Sequence, residues 1–356
     1  MLELKSTYKN TLQLIANILS FEHHVPDLKE TLLNESFDEE ALVKVASDHL
    51  VLTTVYCRLK QKQLLEFISK DLAYYLEDIN TINTNRNLSL IEQSKAIARI
   101  FNAHNISYAF VKGSAFLIKN IYQDIGERMI GDIDILVKED QIEHAFKLLK
   151  DQGYTRLPSS IKARFFEHKH LDRLALKDEL AAVELHKYLL NSSKRHVLDT
   201  NNLLSRRQII NEVYILHEED LFNHNILNFQ INDKAHYYSK ISMRSTYDTL
   251  VFIKLFPKLL KPTNSSYHTS YFSLNSVFFK EFIDVKLNRS RINAFESRLK
   301  SYRRHSFHQK KLHFFALIGE LPSRLSTFIV SRPYRQAIYN DRHRIWSELK
   351  SKFIKP

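Results

Sequence analysis

Residues 131–137 carry the sequence GDIDILV, and this stretch decides the fold of the chain. Successive side chains of a β-strand point to opposite faces. Asp132 and Asp134 therefore share one face, while the apolar residues beside them pack from the other face against a core. Two carboxylates on one face suit Mg²⁺, which binds protein carboxylates together with substrate phosphates. A surface strand with two solvated aspartates is the alternative.

The segment before this strand predicts a turn that could hold a phosphate. Residues 106–111, ISYAFV, are mostly β-branched and aromatic and predict a strand. Gly113 permits a tight turn at its end, and Ser114 is expected to cap a helix over residues 115–122. A helix N-terminus offers free N–H groups and a positive dipole end, and Lys112 adds a cation. Many structural helices begin in the same way.

The order of these motifs resembles that of the DNA polymerase beta nucleotidyltransferase superfamily. Within the superfamily, the chain resembles a group of bacterial, uncharacterised nucleotidyltransferase-like proteins. The matching positions are Lys112-Gly113, Tyr122, Arg128, residues 132–137, Gly153-Tyr154, residues 183–186 and residues 244–248. The likeness covers roughly residues 40–255. It departs from the general superfamily pattern in the longer link over residues 115–131.

The resemblance implies an α+β fold, in which a polymerase-beta-like palm with a small mixed sheet is flanked by N-terminal and C-terminal helical regions. It implies that the protein moves an NMP from an NTP to a hydroxyl group, with Mg²⁺ or Mn²⁺ as cofactor and ATP as the expected NTP. The catalytic and metal-binding residues would be Asp132, Asp134 and a third carboxylate on a neighbouring strand. The nucleotide-binding residues would be Lys112, Gly113, Ser114 and Arg128.

Glu184 is the candidate for the third carboxylate. In the strand predicted over residues 181–186, Glu184 and His186 share a face. If that strand is an antiparallel neighbour, Glu184 could meet the two aspartates across the sheet. An exposed strand glutamate is the alternative. For His186 we expect a structural hydrogen bond rather than a contact with substrate.

The roles of three other charged residues stay open at this point. Arg128 could clamp a phosphate, or it could pair with Asp124, Glu127 or an active-site aspartate. Arg244 and Asp248 could belong to the pocket. Alternatively, they could form a structural ion pair one helical turn apart.

The composition predicts a helix-rich intracellular enzyme with two or three domains. Of the 356 residues, 44% are hydrophobic, and only 5 Gly and 7 Pro interrupt helices. Cys57 is the only cysteine, which excludes a disulfide framework and the usual thiolate zinc clusters. Residues 1–5 lack the pattern of a leader, and no apolar run reaches the ~18–20 residues of a membrane span. The cytoplasm is the expected location.

The chain divides into three predicted regions. Residues 1–103 carry apolar residues at helical spacing and form an N-terminal helical region. Residues 104–195 form the nucleotidyltransferase core, including a helix over residues 141–150 that Gly153 stops. Residues 196–356 form a mainly helical, basic region.

The positive charge of the chain is concentrated near its C-terminus. Residues 251–356 contain 21 Lys and Arg but 6 Asp and Glu, whereas the whole chain contains 52 and 40. Such a region could bind RNA or another polyanion, an anionic membrane surface, or an acidic acceptor. A solvated helical face with core aromatics is the alternative. The interleaved aromatic residues are Tyr271, Phe272, Phe278, Phe279, Phe282, Tyr302, Phe307, Phe314 and Phe315.

Histidine spacing does not predict a zinc site. His168 and His170, and likewise the pair His23-His24, lack partners at ligand spacing.

Three functions fit these observations. The first is a nucleotidyltransferase that acts on a small molecule, a glycan or a protein. The second is the same chemistry on RNA, such as a tRNA end, as in transferase toxins of the superfamily. The third is a non-catalytic module that binds a nucleotide. All the expected acidic positions are present, which counts against the third, and the lack of a recognisable RNA-binding motif ranks the second below the first.

Overall fold

The computed structural model describes most of the chain. The described residues are 7–158, 161, 165–166, 169–261 and 263–353. The initial residues 1–5 and His168, on which two of the expectations above rest, lie outside them. Element numbers below refer to the described helices and strands.

Among the described residues, five α-helices and one 3-10 helix (Leu65–Phe67) precede the first strand, in agreement with the predicted fold class. The α-helices are α1 (Tyr8–Leu19), α2 (Val25–Leu33), α3 (Glu39–Asp48), α4 (Leu52–Gln61) and α5 (Lys70–Ala103). Asp38 caps α3 and Ser69 caps α5, since each side chain accepts a hydrogen bond from a backbone N–H of the first turn. With 34 residues, α5 is long enough to run along the core and contact the loop before the acidic strand.

A mixed sheet of seven strands forms the centre of the molecule, in the order β3-β4-β5-β2-β1-β7-β6. The strands are β1 (Tyr108–Val111), β2 (Asp132–Val137), β3 (Thr155–Arg156), β4 (Leu174–Ala175), β5 (Ala182–His186), β6 (Gln208–Ile210) and β7 (Val213–Ile215). The acidic strand β2 lies between β1, which is antiparallel to it, and β5, which is parallel. The expectation of an antiparallel neighbour carrying Glu184 is therefore wrong, because the chain crosses over before it enters β5.

The sheet continues beyond the region predicted as the core. Strands β6 and β7 lie between residues 208 and 215, and β7 pairs in parallel with β1 through Phe110 and Ile215. The boundary predicted at residue 195 therefore leaves two strands of the sheet outside the core region. Short strands of three residues separated by a tight turn carry little periodic signal, which is why the pattern did not reveal them.

Helices cover the sheet and continue to the C-terminal end of the described chain. Those from the middle of the chain are α6 (Lys112–Ile118), α7 (Ile142–Asp151), α8 (Thr200–Ser205), α9 (Glu218–Leu227), α10 (Ala235–Tyr238) and α11 (Met243–Leu255). The later ones are α12 (Ser266–Asn275), α13 (Arg289–Leu299), α14 (Tyr302–Val330), α15 (Arg332–Asn340) and α16 (Arg342–Phe353). Gly153 follows α7 with φ of +90°, and its N–H donates to the carbonyl of Lys150, so the predicted glycine stop is confirmed.

The aromatic residues of the basic C-terminal third fall into two groups. The first group is buried in the core: Tyr271, Phe272, Phe278, Phe279 and Phe282. The second group, on α14, is exposed: Tyr302, Phe307, Phe314 and Phe315. The alternative of core aromatics therefore holds for the first group only.

Among the described residues, no helix is by itself both long and apolar enough to cross a bilayer. Taken together, α14 and α15 have the length and the apolar composition of a membrane span, although a bend of 111° separates them.

Candidate metal and nucleotide site

The acidic face of the sheet is built by two parallel strands in register. Asp134 of β2 lies beside Glu184 of β5, and Ile133 lies beside Val183. Because side chains alternate, the two carboxylates share one face while the two apolar residues are fully buried on the other. Asp134 itself is buried, which is costly for a carboxylate unless partners compensate for the lost water.

Asp134, Glu184 and His186 form a compact group of possible metal ligands. One ligand atom from each lies within 4.8 Å of the others. His186 Nε2 is 2.8 Å from Asp134 Oδ1 and 3.3 Å from Glu184 Oε2. The structural hydrogen bond expected of His186 is present. The two carboxylates are donors that Mg²⁺ and Mn²⁺ prefer, while an imidazole also suits other transition metals.

Lys112 compensates for the buried charge of Asp134. Its Nζ is 2.5 Å from Asp134 Oδ1. Burial by itself would raise the pKa of Asp134, but Lys112 and His186 hold that pKa well below its usual range. The carboxylate is therefore ionised at neutral pH.

Asp132 has a different partner, Arg173, which the sequence reading did not identify. Arg173 Nη2 is 2.5 Å from Asp132 Oδ1, and Arg173 Nε is 3.4 Å from Glu184 Oε1. The arginine thus bridges two of the three predicted metal-binding carboxylates. Burial raises the pKa of Asp132, and the guanidinium opposes that rise. Arg173 immediately precedes β4, in a segment without a motif, so its role could not be read from spacing.

The turn between β1 and α6 differs from the predicted one. The helix begins at Lys112, and Lys112 itself adopts a left-handed conformation with φ of +55°. Ser114 is therefore not the N-cap; its hydroxyl donates to the carbonyl of Val111 at 3.0 Å. The helix also ends at Ile118 rather than at residue 122. The prediction of Ser114 as N-cap is wrong because the helix already begins two residues earlier, at Lys112.

Gly113 is needed for packing rather than for the turn. A Cβ at this position would lie 2.9 Å from Cγ1 of Ile130. The glycine therefore lets α6 lie close to the segment that leads into β2, which brings Lys112 to Asp134.

Two further cations, Lys169 and Arg244, have pKa values below their usual range. Burial lowers the pKa of Lys169 to about 8, and Lys112 contributes to this while Asp134 and Glu184 oppose it. Burial and the charge of Arg128 lower the pKa of Arg244. Both residues are partly buried, and neither is among the predicted nucleotide-binding residues. The charge of each also interacts with the carboxylate of Asp233.

Arg128 pairs with a residue that was not among its expected partners. Its Nε is 2.9 Å from Oδ1 of Asp248, which also accepts a hydrogen bond of 2.7 Å from the Tyr122 hydroxyl. Asp248 is fully buried. Asp248 therefore pairs with Arg128 across the core and not with Arg244, its neighbour on α11.

The N-terminal helix α5 holds the loop before β2 through polar side chains. Asn83 Nδ2 donates to the carbonyls of Gly126 at 2.7 Å and Arg128 at 3.1 Å. Asn87 Nδ2 donates to Ile125 at 2.6 Å and also to Arg128. Since residues four apart lie on one helix face, these asparagines form one ladder along α5. The N-terminal region therefore positions the acidic strand.

Comparison with known proteins agrees with this geometry. A family model described as "Uncharacterised nucleotidyltransferase" matches residues 35–262, which is more than half of the chain. The matched part contains the sheet, α5 and the buried pair of Arg128 and Asp248. No curated protein matches the chain.

Proposed function

This chain belongs to the uncharacterised nucleotidyltransferase family, and from that premise we propose that it transfers an NMP from an NTP to a hydroxyl group of an acceptor. The acceptor is a small molecule, a glycan or a protein. We propose ATP as the NTP, Mg²⁺ or Mn²⁺ as the metal, and the cytoplasm as the location.

One observation carries the proposal: Asp134 and Glu184 lie side by side on parallel strands, with His186 between their carboxylates. Burying two acidic groups together costs free energy unless cations or hydrogen bonds compensate for it. A site that holds two carboxylates and an imidazole within ligand distance of one another is a candidate for function.

We assign Asp132, Asp134 and Glu184 as the catalytic and metal-binding residues. The donor set fits a divalent cation, because the carboxylates supply hard oxygen ligands and the Asp134 carboxylate is already ionised. When bound, such a cation supplies charge stabilisation around the phosphorus and lowers the pKa of the attacking hydroxyl. Arg173 holds Oδ1 of Asp132, so that residue would bind a metal through its other oxygen or after displacement of the arginine.

The cations of the chain are suited to holding the triphosphate. Lys112 is the first residue of α6, and Lys169 lies close enough for its charge to interact with Asp134 and Glu184. We add Arg244, whose charge interacts with Arg128 and Asp248. They would orient the phosphates and offset the charge that builds on the leaving pyrophosphate. We include Gly113 and Ser114 because they form the same turn. Contact of Arg128 with the nucleotide stays a prediction, because its Nε is already paired with Asp248.

The test is transfer of label from each α-labelled NTP to cell extract separated into RNA, protein and small-molecule fractions. Asp134→Asn is expected to abolish transfer, because it removes the charge at the centre of the ligand group. Asp140→Asn is the matched control, since Asp140 follows the same strand but is exposed and pairs only with Lys138 in a surface ion pair.

The outcome separates three possibilities. Label in the small-molecule or protein fraction that is lost in Asp134→Asn supports the proposal and identifies the acceptor class. Label in the RNA fraction would redirect it to RNA-directed transfer. Intact NTP binding without transfer in any fraction would contradict catalysis and favour a nucleotide-binding module.

A further inference from the structure

Helix α14 exposes apolar side chains to an unusual degree. None of its residues between Tyr302 and Val330 is buried. Phe307 is 70% exposed, and Ile329 and Val330, at the bend before α15, are 74% and 83% exposed. Single exposed apolar residues are ordinary, but a continuous apolar surface marks a place of interaction.

The exposed residues of α14 form one stripe along the helix. They recur at spacings of three, four or seven residues: Phe307, Phe314, Ile318, Leu321, Leu325 and Phe328. Residues at these spacings lie on one helix face. Ile329 extends the stripe at its C-terminal end. We call this surface the α14 stripe.

The opposite face of α14 holds the helix to the body of the protein. Gln309 Nε2 donates to the carbonyl of Tyr238 at 3.0 Å, and the His313 ring lies 4.5 Å from the Tyr238 ring. Glu320 pairs with Lys234 at 3.2 Å. At about 100° per residue, these three positions of α14 lie roughly opposite to the stripe. Gln309, His313 and Glu320 thus contact the body, while the stripe faces outward.

Positive charge accompanies the stripe. Residues 302–353 contain 11 Lys and Arg but 3 Asp and Glu. Lys310 and Lys311 lie within the first turns of the stripe, and Arg303 and Arg304 precede them. Of the acids, Glu320 is paired with Lys234 and Arg324, and Asp341 is paired with Arg344. Exposed aromatic side chains also accompany the basic residues of α15 and α16, where Tyr339 and Trp346 face solvent.

We propose that α14, with α15 and α16, binds the surface of an anionic lipid bilayer, and that the α14 stripe enters its interfacial region. A basic helix with an outward face of Phe, Leu and Ile has the character of helices that lie in the plane of a membrane interface. The polar contacts that hold α14 to the body leave only the stripe for the lipid. The anionic headgroups supply the negative charge that residues 302–353 lack.

Two other partners, a second copy of the chain and RNA, fit these observations less well. A second copy would bring an equally basic segment against this one, and like charges would repel across the contact. RNA would use the cations and the rings, but it would leave the aliphatic residues Ile318, Leu321 and Leu325 in water.

The test is flotation of the full chain with vesicles of phosphatidylcholine alone or mixed with phosphatidylglycerol. The chain is expected to float with the mixed vesicles only, and less at high salt. The double variant Phe328→Gln/Ile329→Gln is expected to weaken this binding about tenfold or more, because two interfacial anchors are lost. The double variant Lys310→Gln/Lys311→Gln is expected to weaken it as well.

A matched control uses equally exposed residues elsewhere. Tyr74 and Ile82 on α5 are 66% and 65% exposed, and the double variant Tyr74→Gln/Ile82→Gln is expected to bind the mixed vesicles as the unaltered chain does. No binding to mixed vesicles, or equal loss in this control, would overturn the proposal. A concentration-dependent dimer that Phe328→Gln/Ile329→Gln abolishes would assign the stripe to a second copy instead. RNA binding that only Lys310→Gln/Lys311→Gln weakens, without vesicle binding, would also overturn it.

Discussion

The acidic face of the sheet and helix α14 depart from ordinary burial in opposite directions. Around β2 and β5, charged side chains are buried and held by partners: Asp134 by Lys112 and His186, and Asp248 by Arg128. On α14, large apolar side chains face solvent and polar residues make the contacts with the body. Neither arrangement stabilises the fold. Buried charges lose their hydration, and exposed apolar groups keep their unfavourable contact with water.

The two proposals above give each region a partner outside the chain: a divalent cation for the buried carboxylates and a lipid interface for the α14 stripe. In each case the polarity of the surface predicts the chemistry of the partner better than the fold class does.

The largest expected effect falls on the acidic side of the comparison. Glu184→Gln keeps the size of the side chain but removes the charge beside Asp134, so we expect nucleotidyl transfer to fall at least about 100-fold. The rate is measured with saturating NTP, and Glu143→Gln, on an exposed part of α7, is the control. A normal rate in Glu184→Gln would assign the third carboxylate to another residue.

The second prediction compares one residue type in the two environments. Phe252 is fully buried between Phe116 and Phe222, whereas Phe328 is 40% exposed on α14. Phe252→Ala is expected to lower the free energy of unfolding by about 3–5 kcal/mol through a core cavity. Phe328→Ala is expected to change it by less than about 0.5 kcal/mol. Urea unfolding monitored by circular dichroism measures both, and similar losses would show that the α14 stripe is packed in solution.

The smallest effect concerns pH and a buried imidazole of the body. Burial lowers the pKa of His268 to about 4, and its Nε2 lies 3.1 Å from Asn223 Oδ1. The pKa of His268 in the folded protein is below the unfolded value of about 6.5. The neutral ring therefore contributes fully to the free energy of unfolding above pH 6.5, and this contribution is lost as the pH falls through 4. The loss is at most about 3 kcal/mol.

Unfolding free energies between pH 7 and 4 test this prediction. His268→Gln is expected to flatten the pH dependence in that window, whereas His196→Gln, at an exposed position, should leave it unchanged. An unaltered slope in His268→Gln would mean that His268 does not contribute to it.

Much of the central sheet could be predicted because its signals are local. The alternation in residues 131–137 indicated which side chains of β2 share a face, and Gly153 indicated the end of α7. The order of motifs predicted the family, which the match over residues 35–262 confirms. The roles of Asp132, Asp134, Glu184 and the nucleotide-binding residues stay predictions until transfer is measured.

The failures of prediction have a common physical cause. Arg173 and Asp132 are 41 residues apart, and Arg128 and Asp248 are 120 apart. Their pairing depends on how strands and helices are arranged in space, and no local pattern encodes it. Asn83 and Asn87 likewise look like ordinary polar positions on α5 until the loop at residues 125–128 is seen beside them.

The sequence by itself determined the faces of the strands, the helical stripes, the charge of the C-terminal third and the family. These follow from side-chain period and residue type, which act over a few neighbouring positions. Only the tertiary structure decided that β5 runs parallel to β2, that Lys112 and His186 flank Asp134, and that the α14 stripe faces outward. Those arrangements depend on packing between distant segments. Burying apolar groups there stabilises the fold, while removing polar groups from water destabilises it.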